Sequence, residues 1–132
     1  MNTLSASVTT IDKSSHSCAL GVSFSNNLFE LILVETPSLK CGDPVTIVFK
    51  ETEVILQKSS LQLSSANTQK GIITDIESGI VLTSVTLSYH DTSIVSLITT
   101  NALKRLELAI GDEVVWMVQP SEISLLRGHD GV

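Results

Sequence analysis

The sequence predicts an all-β protein built from two small barrels in tandem, each with roughly five strands and one short helix. Two observations support this prediction. Apolar and polar residues alternate along much of the chain, which is the pattern of half-buried strands. The stretch GDPVTIVFKETEVIL, which begins at Gly42, is also matched by GDEVVWMVQPSEISL, which begins at Gly111. Such self-similarity indicates a duplicated structural unit.

The duplication extends over nearly the whole chain. Asn2 aligns with Asn67, and the same spacing holds through the first half of each copy. The second copy then has an insertion, LKRLELAI where the first has SLKC, before the register returns at the Gly-Asp pairs. The repeat therefore predicts two domains, residues 1–60 and residues 61–132.

The strands of one repeat are clearest in the second copy. The opening strand is KGIITDIE, and a hairpin follows in which VLTSVTLSY and IVSLIT flank the turn-like HDTS. The closing strands are EVVWMVQ and EISLL. Five strands in so short a unit are typical of a Greek-key barrel of the oligonucleotide/oligosaccharide-binding (OB) kind.

Each repeat also contains a predicted helix. The segment TTNALKRLEL has a Thr or Asn as N-cap and then good helix formers. In the first repeat, Thr36 is the predicted N-cap, Pro37 suits the first helical position, and Gly42 ends the turn. That helix is expected to be barely one turn long.

Composition excludes several classes of function. The formal net charge of -6 argues against a nucleic-acid surface, which needs a basic stripe. It does not exclude a small anion, because a few backbone N–H groups and one lysine suffice to bind one. Neither a signal peptide nor a membrane span is predicted, which favours the cytoplasm. The cysteines and histidines lack metal-ligand spacing.

Apolar residues occur on both faces of the strand EVVWMVQ. A repeat of this size has too small a core to cover both faces by itself. We therefore expect an intimate two-lobed unit that oligomerises further, with Trp116 in the core or in an interface.

The second repeat, SSANTQKGIITDIESG followed by LITTNALKRLELAIGDEVVWMVQPSEISLL, resembles the molybdate-binding Mop domain of the TOBE superfamily. The first repeat resembles a shortened form of it, and the tandem pair resembles the di-domain molbindins. The resemblance implies a cytoplasmic binding protein for molybdate or tungstate that serves storage, homeostasis or sensing. It implies an oxyanion bound as a ligand between domains, no redox cofactor, no enzymatic activity, and a homo-oligomer, with a trimer favoured.

The resemblance also implies an oxyanion site formed by polar side chains and backbone amides. Ala66 stands where the family has an arginine, and the family lysine after the fourth strand is present as Lys50 but replaced by Gln119 in the second repeat. The expected site residues are Ser64, Ser65, Asn67, Lys50, Thr36, Thr100, Asn101, Gln119 and Asn2. No catalytic or metal-ligating residue is expected.

Other interpretations stay open at this point. The loss of the arginine favours an oligomerisation or regulatory module with a decayed site. Lys50 is also consistent with a solvated edge-strand lysine, and the threonines with simple helix caps. Scarce aromatic residues count against a single-strand-binding barrel.

Overall fold

Ten strands and one α-helix make up the described part of the chain, residues 1–35, 37–58 and 67–126 of this computed structural model. The first repeat contributes β1 (Asn2–Lys13), β2 (Cys18–Phe24), β3 (Asn27–Leu33), β4 (Pro44–Phe49) and β5 (Ile55–Gln57). The second contributes β6 (Thr68–Ser78), β7 (Leu82–Tyr89), β8 (Thr92–Thr99), α1 (Thr100–Leu106), β9 (Glu113–Met117) and β10 (Ser124–Leu125). A short 3-10 turn precedes the last strand of each repeat, at Glu51–Glu53 and at Pro120–Glu122.

The strands form two antiparallel five-stranded sheets, and the repeats exchange their last strands. The first sheet has the order β10-β4-β1-β2-β3 and the second has the order β5-β9-β6-β7-β8. Leu125 of β10 lies opposite Ile47 of β4, and Leu56 of β5 lies opposite Trp116 of β9. Each sheet is therefore completed by the other repeat. The domain boundary predicted at residues 60 and 61 falls in the segment 59–66, outside the described residues, and stays a prediction.

The repeated Gly-Asp pair closes a turn against a bulge in the first strand of each repeat. In the first repeat, the Gly42 N–H donates to the Val8 carbonyl at 2.8 Å, and the Val8 N–H donates to the Asp43 carbonyl at 2.9 Å. The Asp43 carboxylate accepts from the Lys40 N–H at 3.0 Å. The second repeat makes the same three bonds with Gly111, Ile73, Asp112 and Ala109. Both glycines have φ near 95°, a region that strains any other residue, so the pair is turn chemistry.

One hydrophobic core joins the inner faces of the two sheets. Trp116 is fully buried at its centre. The centroid of its ring lies 6.0 Å from Phe49, 6.0 Å from Phe29 and 5.1 Å from Tyr89. Because Phe29 and Phe49 belong to the first sheet, aromatic contacts cross between the repeats. The expectation that Trp116 is a core residue is confirmed.

The helix predictions need two corrections. In the first repeat, residues 37–43 form bends and a turn instead of a helix, since the segment is too short for a helical turn before Gly42; Thr36 lies outside the described residues. In the second repeat the N-cap is Thr99, whose Oγ1 accepts from the Ala102 N–H at 3.0 Å. Thr100 is instead the first helical residue. Within the described ranges, no helix is long and apolar enough to cross a membrane.

Candidate functional site

Two buried asparagines hold the repeats together at equivalent positions. Asn2, at the start of β1, donates from Nδ2 to the Val95 carbonyl at 2.8 Å and accepts at Oδ1 from the Val95 N–H at 2.8 Å. Asn67, just before β6, makes the same pair of bonds with Glu30, at 2.9 and 2.7 Å. Val95 lies in the edge strand β8 and Glu30 in the edge strand β3. Each side-chain amide thus binds an edge strand as a neighbouring backbone would.

These contacts define what Asn2 and Asn67 do within one chain. The exposed fraction of Asn67 is 0% and that of Asn2 is 3%. In both, the amide oxygen and nitrogen already have backbone partners, as a buried polar group requires. The structure therefore gives both predicted ligands a structural role, and their contact with an oxyanion stays a prediction.

Lys50 and Gln119 occupy equivalent places in the two repeats, which we call the Asn2 end and the Asn67 end after the asparagine that lies beside each. Each follows the fourth strand of its repeat and precedes a 3-10 turn, and each is exposed. Phe49 pairs with Asn2, so Lys50 lies at the Asn2 end. The Val118 N–H donates to the Asn67 carbonyl at 3.2 Å, so Gln119 lies at the Asn67 end.

The two ends differ in charge. The Asn2 end carries Lys50, and there the Met1 ammonium also bonds the Glu51 carboxylate and lowers the pKa of Glu51. The Asn67 end has the neutral Gln119 in place of the lysine. Within one chain, Lys50 follows the strand that pairs with Asn2, whereas Asn67 lies beside the equivalent strand of the other repeat.

The predicted site residues near the helix differ in burial. The Thr100 hydroxyl is buried and donates to the Gly79 carbonyl at 2.8 Å, with the Thr83 hydroxyl 2.9 Å away. Its hydrogen-bonding capacity is therefore used inside the protein. Asn101 is exposed on the first turn of α1. Ser64 and Ser65, like Thr36, lie outside the described residues, so their placement stays a prediction.

A groove that the sequence did not predict lies between the hairpin tips of the two repeats. Asn27 begins β3, Tyr89 ends β7, and His90 lies in the β7–β8 turn. The open cavity measures about 400 Å³ and is lined by Asn27, Thr68, Gln69, Lys70, Tyr89, His90 and Val115. The available sequence signal was His90 itself, an imidazole in a tight turn where Asn or Gly is usual.

The groove is organised by hydrogen bonds between its side chains. The Asn27 Nδ2 and the His90 Nε2 are 2.8 Å apart, and the Tyr89 hydroxyl donates to the Gln69 Oε1 at 3.1 Å. Burial raises the pKa of Tyr89 to about 12, and the neighbouring Asn27 amide offsets part of that rise. The phenol therefore stays a neutral donor at physiological pH.

Among residues 1–35, 37–58 and 67–126, no group of His, Cys, Asp and Glu could hold a metal ion. Candidate binding groups in this part of the chain lie at the two ends with Lys50 and Gln119 and in the groove between the hairpins. The interlocked sheets define the class of the protein, a tandem pair of OB-like barrels.

Residues 63–125 match the family model of the TOBE domain. The second repeat is therefore similar to TOBE domains, and the predicted resemblance is confirmed. The first repeat shares its strand order and its Gly-Asp turn.

Two relatives extend the comparison. The molybdenum transport protein ModE of Herbaspirillum seropedicae is 32% identical over 78 residues, which cover 58% of this chain and 29% of that protein. The chain therefore spans under a third of the length of this relative. A crystal structure of the cytoplasmic molybdate-binding protein ModG with molybdate bound superposes with a TM-score of 0.89 over 94% of each chain, at 23% identity. At that identity the agreement establishes the fold, as two OB-like barrels in tandem.

Proposed function

We propose that the protein is a cytoplasmic binding protein for molybdate, that it also takes tungstate, and that it serves storage or sensing without catalysis. The observation that supports this most is the agreement along 94% of both chains with a protein whose structure contains molybdate. The partial match to ModE, a molybdenum transport protein, points to the same ligand.

The chemistry of the Asn2 end suits this ligand. A tetrahedral dianion needs several hydrogen-bond donors and gains most from charged ones. Lys50 is exposed and therefore accessible to a ligand. The turn that follows Lys50 brings further backbone groups to the same end of the first sheet. We propose that Lys50 supplies the cationic donor of the site, with Ser64, Ser65 and Asn67 of a neighbouring copy as its polar partners.

The proposed site is completed by assembly, and we favour a trimer. Val34 is 85% exposed and Ile80 is 97% exposed in the single chain. Leu28, Ile110 and Val81 are also more than half exposed. Large apolar side chains in such numbers favour burial between subunits. We propose that such an interface also brings Lys50 of one copy towards Asn67 of the next.

The alternative is an oligomerisation or regulatory module whose oxyanion site has decayed. Two observations favour it. Ala66 replaces the family arginine, and the amides of Asn2 and Asn67 are already bonded to backbone. In that case the interlocked barrels persist because they support assembly.

Native mass spectrometry with and without molybdate tests the proposal, since it reports oligomer size and bound ions together. Calorimetry then compares the wild type with Lys50→Met and with the control Lys40→Met, which removes another exposed lysine. Loss of a charge-assisted hydrogen bond should weaken binding in Lys50→Met by about 1.5–3 kcal/mol. The control should bind as the wild type does.

Three results decide between the two functions. Saturable binding that depends on Lys50 supports the oxyanion-binding protein. Equal affinity in both lysine variants would assign Lys50 to the solvated surface. A stable oligomer that binds neither molybdate nor tungstate would leave the decayed module as the function.

A further inference from the structure

The groove between the hairpin tips differs from the predicted oxyanion site in place and in residues. It uses Lys70 of β6, His90 of the β7–β8 turn and Asn27 of the β2–β3 hairpin. Lys50 and Gln119 are not among its lining residues. Since Asn27 belongs to the first repeat and His90 to the second, the groove exists only when the repeats are packed together.

The hydrogen bonds of the groove fix the orientation of its donors. The Asn27 Nδ2 also points to the Ser25 carbonyl, at 3.4 Å, which orients the amide. The same nitrogen, a donor only, faces the His90 Nε2 at 2.8 Å. The His90 Nε2 therefore accepts, and in the neutral ring the hydrogen is on Nδ1. The groove thus contains an imidazole held as a donor through Nδ1.

Gln69 is oriented in a similar way. Its Oε1 accepts from the Tyr89 hydroxyl at 3.1 Å. The carbonyl end of the amide is thereby directed to Tyr89, and the NH₂ end is left as the donor. Lys70 adds a positive charge next to Val115, its partner in β9. The lining residues include no carboxylate, although the chain as a whole has a net charge of -6.

The internal duplication provides a comparison within the molecule. In the first repeat, Ser5 aligns with Lys70, Ser25 with His90, and Leu4 with Gln69. The counterpart positions therefore have no cation, no imidazole and no amide, yet β1 and β6 keep the same bulged pairing. The fold does not require the polar set of the groove.

The backbone of the two hairpin turns is also alike. His90 has φ 51° and its aligned residue Ser25 has φ 48°. The left-handed conformation is therefore turn geometry common to both repeats and does not depend on the imidazole.

From these observations we propose that the groove between the hairpin tips is a second anion site, which takes a compact oxyanion through Lys70 and the His90 Nδ1–H. The cation supplies attraction, and the oriented imidazole supplies geometry. The site is independent of the function proposed above, because it shares no residue with it.

The test is an NMR titration of the wild-type protein with inorganic phosphate and, separately, with molybdate, at constant ionic strength. Both anions should produce saturable shifts in the side-chain signals of His90 and Gln69. Lys70→Gln should weaken binding at this site at least about tenfold, the loss expected for one charged hydrogen bond. Lys40→Gln is the matched control and should leave the affinity unchanged. His90→Ser, which introduces the residue found at the aligned position of the first repeat, should weaken binding without unfolding the protein.

The outcomes separate this site from the predicted one. Saturation by either anion that disappears in Lys70→Gln but survives Lys50→Met supports the groove site and identifies its anion. Shifts that stay linear, or that respond equally to Lys70→Gln and Lys40→Gln, overturn it. Molybdate binding that depends on Lys50 alone would keep the proposed function and reject the groove. Phosphate binding in the groove without any Lys50-dependent molybdate binding would support the groove site and reject the proposed function.

Discussion

Replacement of Asn67 by alanine should destabilise the protein strongly. The Asn67 side chain makes two hydrogen bonds to the backbone of Glu30, and the substitution removes both. Asn67→Ala removes the donor to the Glu30 carbonyl and the acceptor for the Glu30 N–H, at 2.9 and 2.7 Å. Each lost bond costs about 0.5–1.5 kcal/mol, and a buried backbone group left without a partner adds to that cost. We expect a loss of about 2–4 kcal/mol in the free energy of unfolding.

The internal repeat supplies a matched variant and the helix supplies a control. Asn2→Ala breaks the equivalent pair of bonds to Val95 and should cost a similar amount. Asn101→Ala changes an exposed asparagine and should stay within about 0.5 kcal/mol of the wild type. Urea denaturation followed by the fluorescence of Trp116, the single tryptophan, measures all three. Protein concentrations must be equal, because assembly alters apparent stability.

The result also separates two roles for the same residue. If Asn67 acts only as an oxyanion ligand, Asn67→Ala would lose molybdate and unfold with the wild-type midpoint. A wild-type denaturation midpoint for both asparagine variants would refute the stabilising role of the asparagine side chains.

Three further predictions concern other parts of the chain. Ala66→Arg should tighten molybdate binding by about 1–3 kcal/mol if the oxyanion site is otherwise intact, and calorimetry would show weaker assembly instead if it has decayed. Thr99→Ala removes the N-cap of α1 and should cost about 1 kcal/mol in urea denaturation, whereas a role for Thr100 as the cap would leave stability unchanged. Tyr89, the single tyrosine, should form phenolate near pH 12 in the native protein and near pH 10 when unfolded. Because the unfolded chain loses that proton first, stability should fall as pH rises between these values, and ultraviolet absorbance would check the titration.

Local patterns in the sequence predicted much of the fold. The strand VLTSVTLSY appears as β7 (Leu82–Tyr89), and the hairpin after it appears with β8. Alternation and turn residues act over a few positions, so they can be recognised without a structure. The Gly-Asp turns were predictable for the same reason.

The exchange of β5 and β10 was not predictable. These strands have three and two residues, Ile55–Gln57 and Ser124–Leu125. Their sequences do not distinguish the two sheets, because the acceptor strands β4 and β9 are copies of one another. Which of the two acceptor strands a last strand pairs with depends on the packing of the two repeats against each other, which is a non-local property.

The candidate site was predictable only in part. Lys50 was located by its place after the fourth strand and is exposed there. Asn2 and Asn67 were expected as ligands because of the family resemblance, but their partners, Val95 and Glu30, are distant in sequence. The groove depends on residues from both hairpins, which no single motif brings together.

The exchanged last strands make each repeat a donor and an acceptor for the other. A fragment ending at Lys58 would keep β5 without the β9 edge to which that strand pairs in the whole protein. The same fragment would have no β10 to cover its β4. Two such fragments could complete each other's sheets by exchanging their last strands. The tandem chain therefore corresponds to a strand-exchanged dimer whose two subunits are covalently joined. Covalent linkage then holds the partner strand at a high effective concentration at any dilution, and we expect the two repeats to unfold in one transition.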